Sequence, residues 1–231
     1  MSFITERTAV VAGASRGIGL ELVRTLAERG WSVHAGARDP SKSPLAETQS
    51  DRVRAHTLDL DDGDSVQAFA AAVGAGPVGL LIHNAGVFER QPKLESFETD
   101  AFLRSMRTNV AGPVLLTRSL LPNLKAAGGA AVLHISSVMG SVELNESVGN
   151  FPYRASKAAM NMVSKGLANE LGNDRIASVA MHPGWVRTDM GGEDAPLLPA
   201  DAAREIADTA LALSMEHTGS FIQRSGEPIA Y

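Results

Sequence analysis

The chain has 231 residues, 44% of them apolar, a formal net charge of -5 and no cysteine. That length suits one large α/β domain over residues 1–231, with enough apolar material for a sizeable core. The acidic balance and the lack of a Lys/Arg run offer nucleic acid no footprint, while the missing thiols and the scattered six histidines predict neither disulfide nor metal.

Glu6 and Arg7 lie where a signal peptide needs an apolar stretch, and no run of about 18 apolar residues occurs further on, so the expectation is a soluble, cytoplasmic protein with no membrane partner. The first apolar run, "TAVVAG", reads as a strand and leads into "GASRGIG", three glycines within seven residues. A helix comes next, with Ile18, Leu22, Val23 and Leu26 on one face and Gly30 placed as its C′ residue. Amides at a helix start have no partner within the helix and favour an anion, so the turn predicts a pyrophosphate site. Gly13 permits the tight turn, Gly17 a close approach of backbone to phosphate, and Gly19 close packing of helix on strand. An ordinary glycine-rich turn is the plainer alternative.

Further strands are read in "WSVHAGA", "RVRAHTLDL", "VGLLIHNAG", "AAVLHISS" and "IASVAMHPG", alternating with segments of helical period. Alternation of this kind implies βαβ crossovers and a doubly wound, mostly parallel sheet with helices on both faces, and strands that are apolar throughout. The pieces at 39–50, 138–152 and 190–199 read as loops. At the end of the second strand, where an NAD site needs a carboxylate, stands Ala37 followed by Arg38. Arg38 and Arg16 together are suited to grip a 2′-phosphate, which predicts NADP(H) in preference to NAD(H). The alternative puts Asp39 on the ribose.

"AAVLHISS" ends in Ser136 and Ser137, at the sheet edge where such folds bind ligands. Ser137 is a candidate to hold a substrate carbonyl, or a simple cap for the segment after the strand. In "FPYRASK", Tyr153 and Lys157 are four apart on a helical pattern and share a face. An ammonium beside a phenol lowers its pKa from about 10, so the pair predicts proton exchange nearer neutrality.

"GASRGIG", "HNAG", "TNVAG", "ISS", "YRASK" and "HPGWVRTDM" occur in the order of the short-chain dehydrogenase/reductase family, which the chain resembles over nearly its whole length. It looks closest to the C-factor and sniffer-type carbonyl reductase branch. The resemblance implies a seven-stranded Rossmann sheet, a nicotinamide cofactor, carbonyl/alcohol interconversion and association into dimers or tetramers. It makes Tyr153 the general acid/base, Lys157 the residue that tunes it and holds the nicotinamide ribose, Ser137 the carbonyl-orienting serine and Asn109 the anchor of a proton relay. Asn109 alone reads equally as a helix-interior amide bonded to backbone.

The cofactor set it implies is Gly13, Ser15, Arg16, Gly17, Ile18, Gly19, Arg38, Asp59, Leu60, Asn84, Ala85, Gly86, Tyr153, Lys157, Pro183, Gly184, Val186 and Thr188, with no metal. Asp59 has a second reading as a helix cap. Ala12 stands where the family often has Thr, His83 where it often has Asn, and the span from Ser137 to Tyr153 is a few residues longer than usual, so its loop must bulge outward. The short segment with Gly191 and Gly192 predicts a flexible edge and a wide, permissive pocket for activated carbonyls. Two rival readings are a cofactor-binding signalling protein with little turnover and an S-adenosylmethionine-dependent methyltransferase, although nothing in the latter needs Tyr-x-x-x-Lys.

Overall fold

The computed structural model describes residues 3–231. Its strands are β1 (Thr8–Ala12), β2 (Ser32–Ala37), β3 (Val53–Thr57), β4 (Leu80–His83), β5 (Ala130–Ile135), β6 (Ile176–His182) and β7 (Phe221–Gln223). The helices are α1 (Gly17–Glu28), α2 (Gly63–Val73), α3 (Thr99–Met106), α4 (Gly112–Ser119), α5 (Leu121–Ala126), α6 (Phe151–Leu171) and α7 (Pro199–Ala212). All seven strands pair in parallel in the order β3-β2-β1-β4-β5-β6-β7. The fold is a doubly wound, Rossmann-like sheet. Between β1 and β4 the order reverses, and the loops leaving their carboxyl ends part to open a crevice.

Neighbouring residues of one strand serve opposite layers. Val11, Leu80, Ile82 and Leu133 pack with α1 and α7 on one face, while Val10, Leu81 and Val132 pack with α2, α4 and α5 on the other. Both faces are therefore apolar, which is why the central strands read as continuous runs. β3 departs from that expectation: Arg54 and Thr57 are exposed, because an edge strand has a neighbour on one side only. β7 escaped the reading of apolar runs altogether, since three residues cannot show a pattern. Gly30 has the left-handed φ of +82° required of a C′ residue, and its amide donates to Ala27 O at 3.0 Å. The 39–50 stretch is more than a loop: two short 3₁₀ turns fold Leu45 fully into the core.

A polar seam crosses the α6 side of the sheet. The His83 and His134 rings stack with centroids 5.0 Å apart. His83 Nε2 lies 2.8 Å from Thr117 Oγ1, and His134 Nε2 lies 3.2 Å from Ser178 Oγ, itself 3.2 Å from Ser164 Oγ. Burial holds both imidazoles neutral, pushing His134 down to about 3 with help from the charge of Lys157.

Candidate functional site

The glycine turn is built by close approach. Gly13 N and Ala14 N donate to Gly36 O at 2.9 and 3.0 Å, and Gly13 has φ +82°. A Cβ there would fall 2.5 Å from the Ala85 backbone, and one on Gly19 would fall 2.1 Å from Gly13 O. Asn84 closes the arrangement, its Nδ2 donating to Gly13 O at 2.8 Å. The "NAG" residues thus buttress the turn as well as border the crevice. Arg16, the N-cap of α1, makes no side-chain capping bond, which leaves the first-turn amides free to meet an anion.

At the end of β2, Arg38 is exposed and makes no ion pair among the described residues. Asp39, the candidate for an NAD ribose, is instead held by Lys42 Nζ at 2.8 Å and Ser41 Oγ at 2.8 Å, contacts that lower its carboxyl below the usual range. Arg16 crosses the crevice to Asp189 at 2.7 Å. Asp59 caps no helix: its Oδ1 accepts from Asp61 N at 3.0 Å, while Asp62 caps α2 through Asp64 N.

α6 carries two of the candidate catalytic residues, Tyr153 and Lys157. Tyr153, Ser156, Lys157, Met160 and Asn161 are buried along one stripe of the helix, at i, i+3 and i+4 spacing. Ser136 turns away to Asn161 Oδ1 at 2.6 Å, whereas Ser137 turns towards Tyr153 and also accepts from Met139 N at 3.1 Å, capping the next turn. The cap reading of Ser137 therefore holds, and the same hydroxyl meets the phenol.

Asn109 lies in one π-helical turn, 107–111, between α3 and α4. Its Oδ1 accepts from Val87 N at 2.8 Å, and its Nδ2 donates to Val87 O at 3.0 Å and Ser156 Oγ at 2.9 Å. Ser156 Oγ in turn donates to Tyr153 O at 2.7 Å, so Asn109 ties the β4 loop to the α6 turn that carries Tyr153.

The electrostatics correct one expectation. Burial pushes the Tyr153 phenol up to about 12, opposed by a hydrogen bond with Ser137, and pushes Lys157 down to about 8. The lysine does not lower the phenol here, because Nζ donates to Ile135 O at 2.8 Å and lies 5.5 Å from the centre of the tyrosine ring. Desolvation disfavours phenolate and ammonium alike. Burial thus keeps the Tyr153 phenol protonated.

The flexible edge is also corrected. Trp185 Nε1 donates to Gly191 O at 2.8 Å, Gly191 N to Thr188 Oγ1 at 3.1 Å, and Arg187 N to Leu197 O at 2.8 Å. The stretch 185–197 is a self-bonded strap, moored across the crevice by Arg16 and by Arg90, whose Nη2 donates to Met190 O at 3.1 Å. The loop before α6 does bulge outward, with Val142, Leu144 and Val148 exposed.

The cleft measures about 460 Å³. Gly13, Ser15, Arg16, Gly17, Ile18, Arg38, Asp59, Leu60, Asn84, Ala85, Gly86, Tyr153, Lys157, Pro183 and Thr188 line it. Gly19, Asn109, Ser137, Gly184 and Val186 do not, and buried Val186 bridges to Leu197 instead. Sequence reasoning missed Leu58, Thr108 and Arg187 on the wall. Each had a signal in its place beside a named residue: Thr108 beside Asn109, Leu58 beside Asp59 and Arg187 between Val186 and Thr188.

The family model for short chain dehydrogenase matches residues 7–196. C-signal of Myxococcus xanthus is 37% identical over 166 residues, 72% of this chain and 100% of that one. The carbonyl reductase Sniffer of D. melanogaster superposes with a TM-score of 0.92 at 28% identity, covering 98% of this chain and 100% of that one. The NADPH-bound carbonyl reductase from chicken fatty liver superposes with a TM-score of 0.89 at 30% identity, over 98% and 99%.

Proposed function

The chain belongs to the short chain dehydrogenase family, and from that premise we propose that it is an NADPH-dependent oxidoreductase that interconverts a carbonyl and an alcohol, with residues 1–231 acting as a single cofactor-binding domain. The residues present fit the cofactor: uncapped α1 amides for the pyrophosphate, a glycine turn too tight for side chains at 13 and 19, and Arg38 beside Ala37 for the 2′-phosphate. When bound, NADPH supplies the hydride to the carbonyl carbon. Tyr153 gives its proton to the oxygen, completing the alcohol, and Ser137 holds that oxygen as charge develops. Lys157 would hold the ribose and, along a relay that Asn109 anchors, would return a proton from solvent to Tyr153.

The observation that carries this reading is the pairing of Tyr153 and Lys157 on the cleft wall, with Ser137 bonded to the phenol, Asn109 tied through Ser156 to the Tyr153 backbone, and the phenol kept protonated by burial. No helix among the described residues is long and apolar enough to cross a membrane; location in the cytoplasm and assembly as a dimer or tetramer belong to the same proposal. The test is NADPH oxidation with a reactive quinone or dicarbonyl, absent in Tyr153→Phe. A second reading, a cofactor-binding signalling protein with little turnover, has the likeness to C-signal in its favour; cofactor binding without turnover by the wild type supports it.

A further inference from the structure

We propose that the substrate end of the cleft selects aromatic carbonyl compounds that carry a carboxylate, with Phe88 receiving the ring and Arg90 the anion; this rests on Tyr153 being the proton donor. The Phe88 ring lies against Tyr153, with centroids 4.5 Å apart and planes inclined at 48°. An aromatic aldehyde or ketone with its oxygen at Tyr153 would have this ring in its neighbourhood, and aromatic rings attract one another at offset or edge contact. The Arg90 guanidinium sits 5.2 Å from the centre of the same ring, and its Nη2 donates to Met190 O at 3.1 Å.

These two contacts hold a normally mobile cation beside Met190, a residue of the cleft wall, and the bond to Met190 uses one of its five N–H donors. Glu89, next to Arg90 in the chain, pairs with Arg104 at 3.0 Å, and Asp189, next to Met190, pairs with Arg16 at 2.7 Å. Arg90 has no carboxylate partner among the described residues. A chain of net charge -5 thus presents a fixed, unneutralised guanidinium next to the aromatic side of its proton donor. Guanidinium takes a carboxylate in two parallel hydrogen bonds, whereas a neutral or cationic substituent gains nothing there.

The test compares 4-formylbenzoate with its methyl ester, using NADPH and the full chain, in the wild type, Arg90→Met and Phe88→Leu; a neutral quinone serves as control. Because the ester is intrinsically the more reactive, the readout is the change in the acid-to-ester ratio of kcat/KM. In Arg90→Met that ratio is expected to fall about fivefold, the upper end for an exposed ion pair, with the loss in KM for the acid and none for ester or quinone. Added salt should reduce the wild-type ratio in the same direction. Phe88→Leu should weaken acid and ester together and leave their ratio alone. An unchanged ratio in Arg90→Met while the quinone is still reduced overturns this inference and leaves the reductase reading intact. No reduction of quinone, acid or ester by the wild type removes both.

Discussion

Arg16 Nη1 and Asp189 Oδ2 meet at 2.7 Å, joining the glycine turn to the strap on the far side of the crevice. Both side chains are 73% exposed, so the pair is worth little by itself. Its interest lies in competition, since a 2′-phosphate needs the guanidinium that Asp189 holds. Asp189→Asn is expected to lower the KM for NADPH by up to about fivefold, the ceiling for an exposed pair, and to leave that for NADH unchanged. Steady-state kinetics with both cofactors decides it, and a parallel change in the two would count against the competition.

Cofactor preference should turn on two adjacent residues. Ala37→Asp with Arg38→Leu supplies a carboxylate for the ribose hydroxyls and removes the unpaired cation, so the ratio of kcat/KM should move towards NADH. Asp39 cannot serve without leaving Lys42 and Ser41, which already hold it. A wild type that favours NADH would refute the assignment.

Tyr153→Phe removes one hydroxyl and little volume, so NADPH binding by fluorescence should persist while kcat falls at least about 10²-fold, as expected for loss of a general acid. Since the phenol titrates only near 12, reduction should not lose its proton donor anywhere near neutrality. Lys157, brought down to about 8, sets the limit: kcat/KM for reduction should be flat below that pH and decline above it as the ammonium is lost. A profile already falling on the acid side of 8 would show that another group controls the step.

Stability should weaken on mild acidification. Burial holds His134 at about 3, and burial with neighbouring cations holds His34 and His182 at about 4, against 6.5 for a free imidazole. Below 6.5 the unfolded chain takes up protons that the folded chain refuses, so stability is complete above that value and is lost progressively as pH falls towards the folded values. The slope approaches about 1.4 kcal/mol per pH unit for the fully buried His134 and is less for the other two. Melting curves from about pH 7 to about pH 5 at fixed ionic strength should show a falling Tm.

Much of the site was legible because it depends on local backbone demands. The glycines declare a turn that excludes Cβ atoms, and the four-residue spacing of Tyr153 and Lys157 declares a shared helix face. What escaped depends on partners far away in sequence. Asp189 and Met190 close the last motif, yet nothing local shows that they moor to Arg16 and Arg90. The Tyr153 pKa went the other way because spacing along a helix does not reveal how deeply the phenol is buried, nor that Lys157 Nζ is drawn to Ile135 O. β7 was invisible because three residues show no period.

The π turn at 107–111 separates the phases of α3 and α4, which succeed one another in one continuous helical path. One extra residue per turn rotates everything downstream by about 100° relative to an unbroken α-helix. α3 can therefore bury Ala101 and Ser105 while α4 buries Pro113, Leu116 and Thr117, each with its own stripe inward. The path tolerates substitution better than a change of length: removing Val110 would restore α geometry at the loss of one side chain, yet swing Asn109 off the Val87 backbone and Thr117 off His83. At this joint the count of residues is itself a determinant of the geometry of the site, and no alanine scan would reveal it.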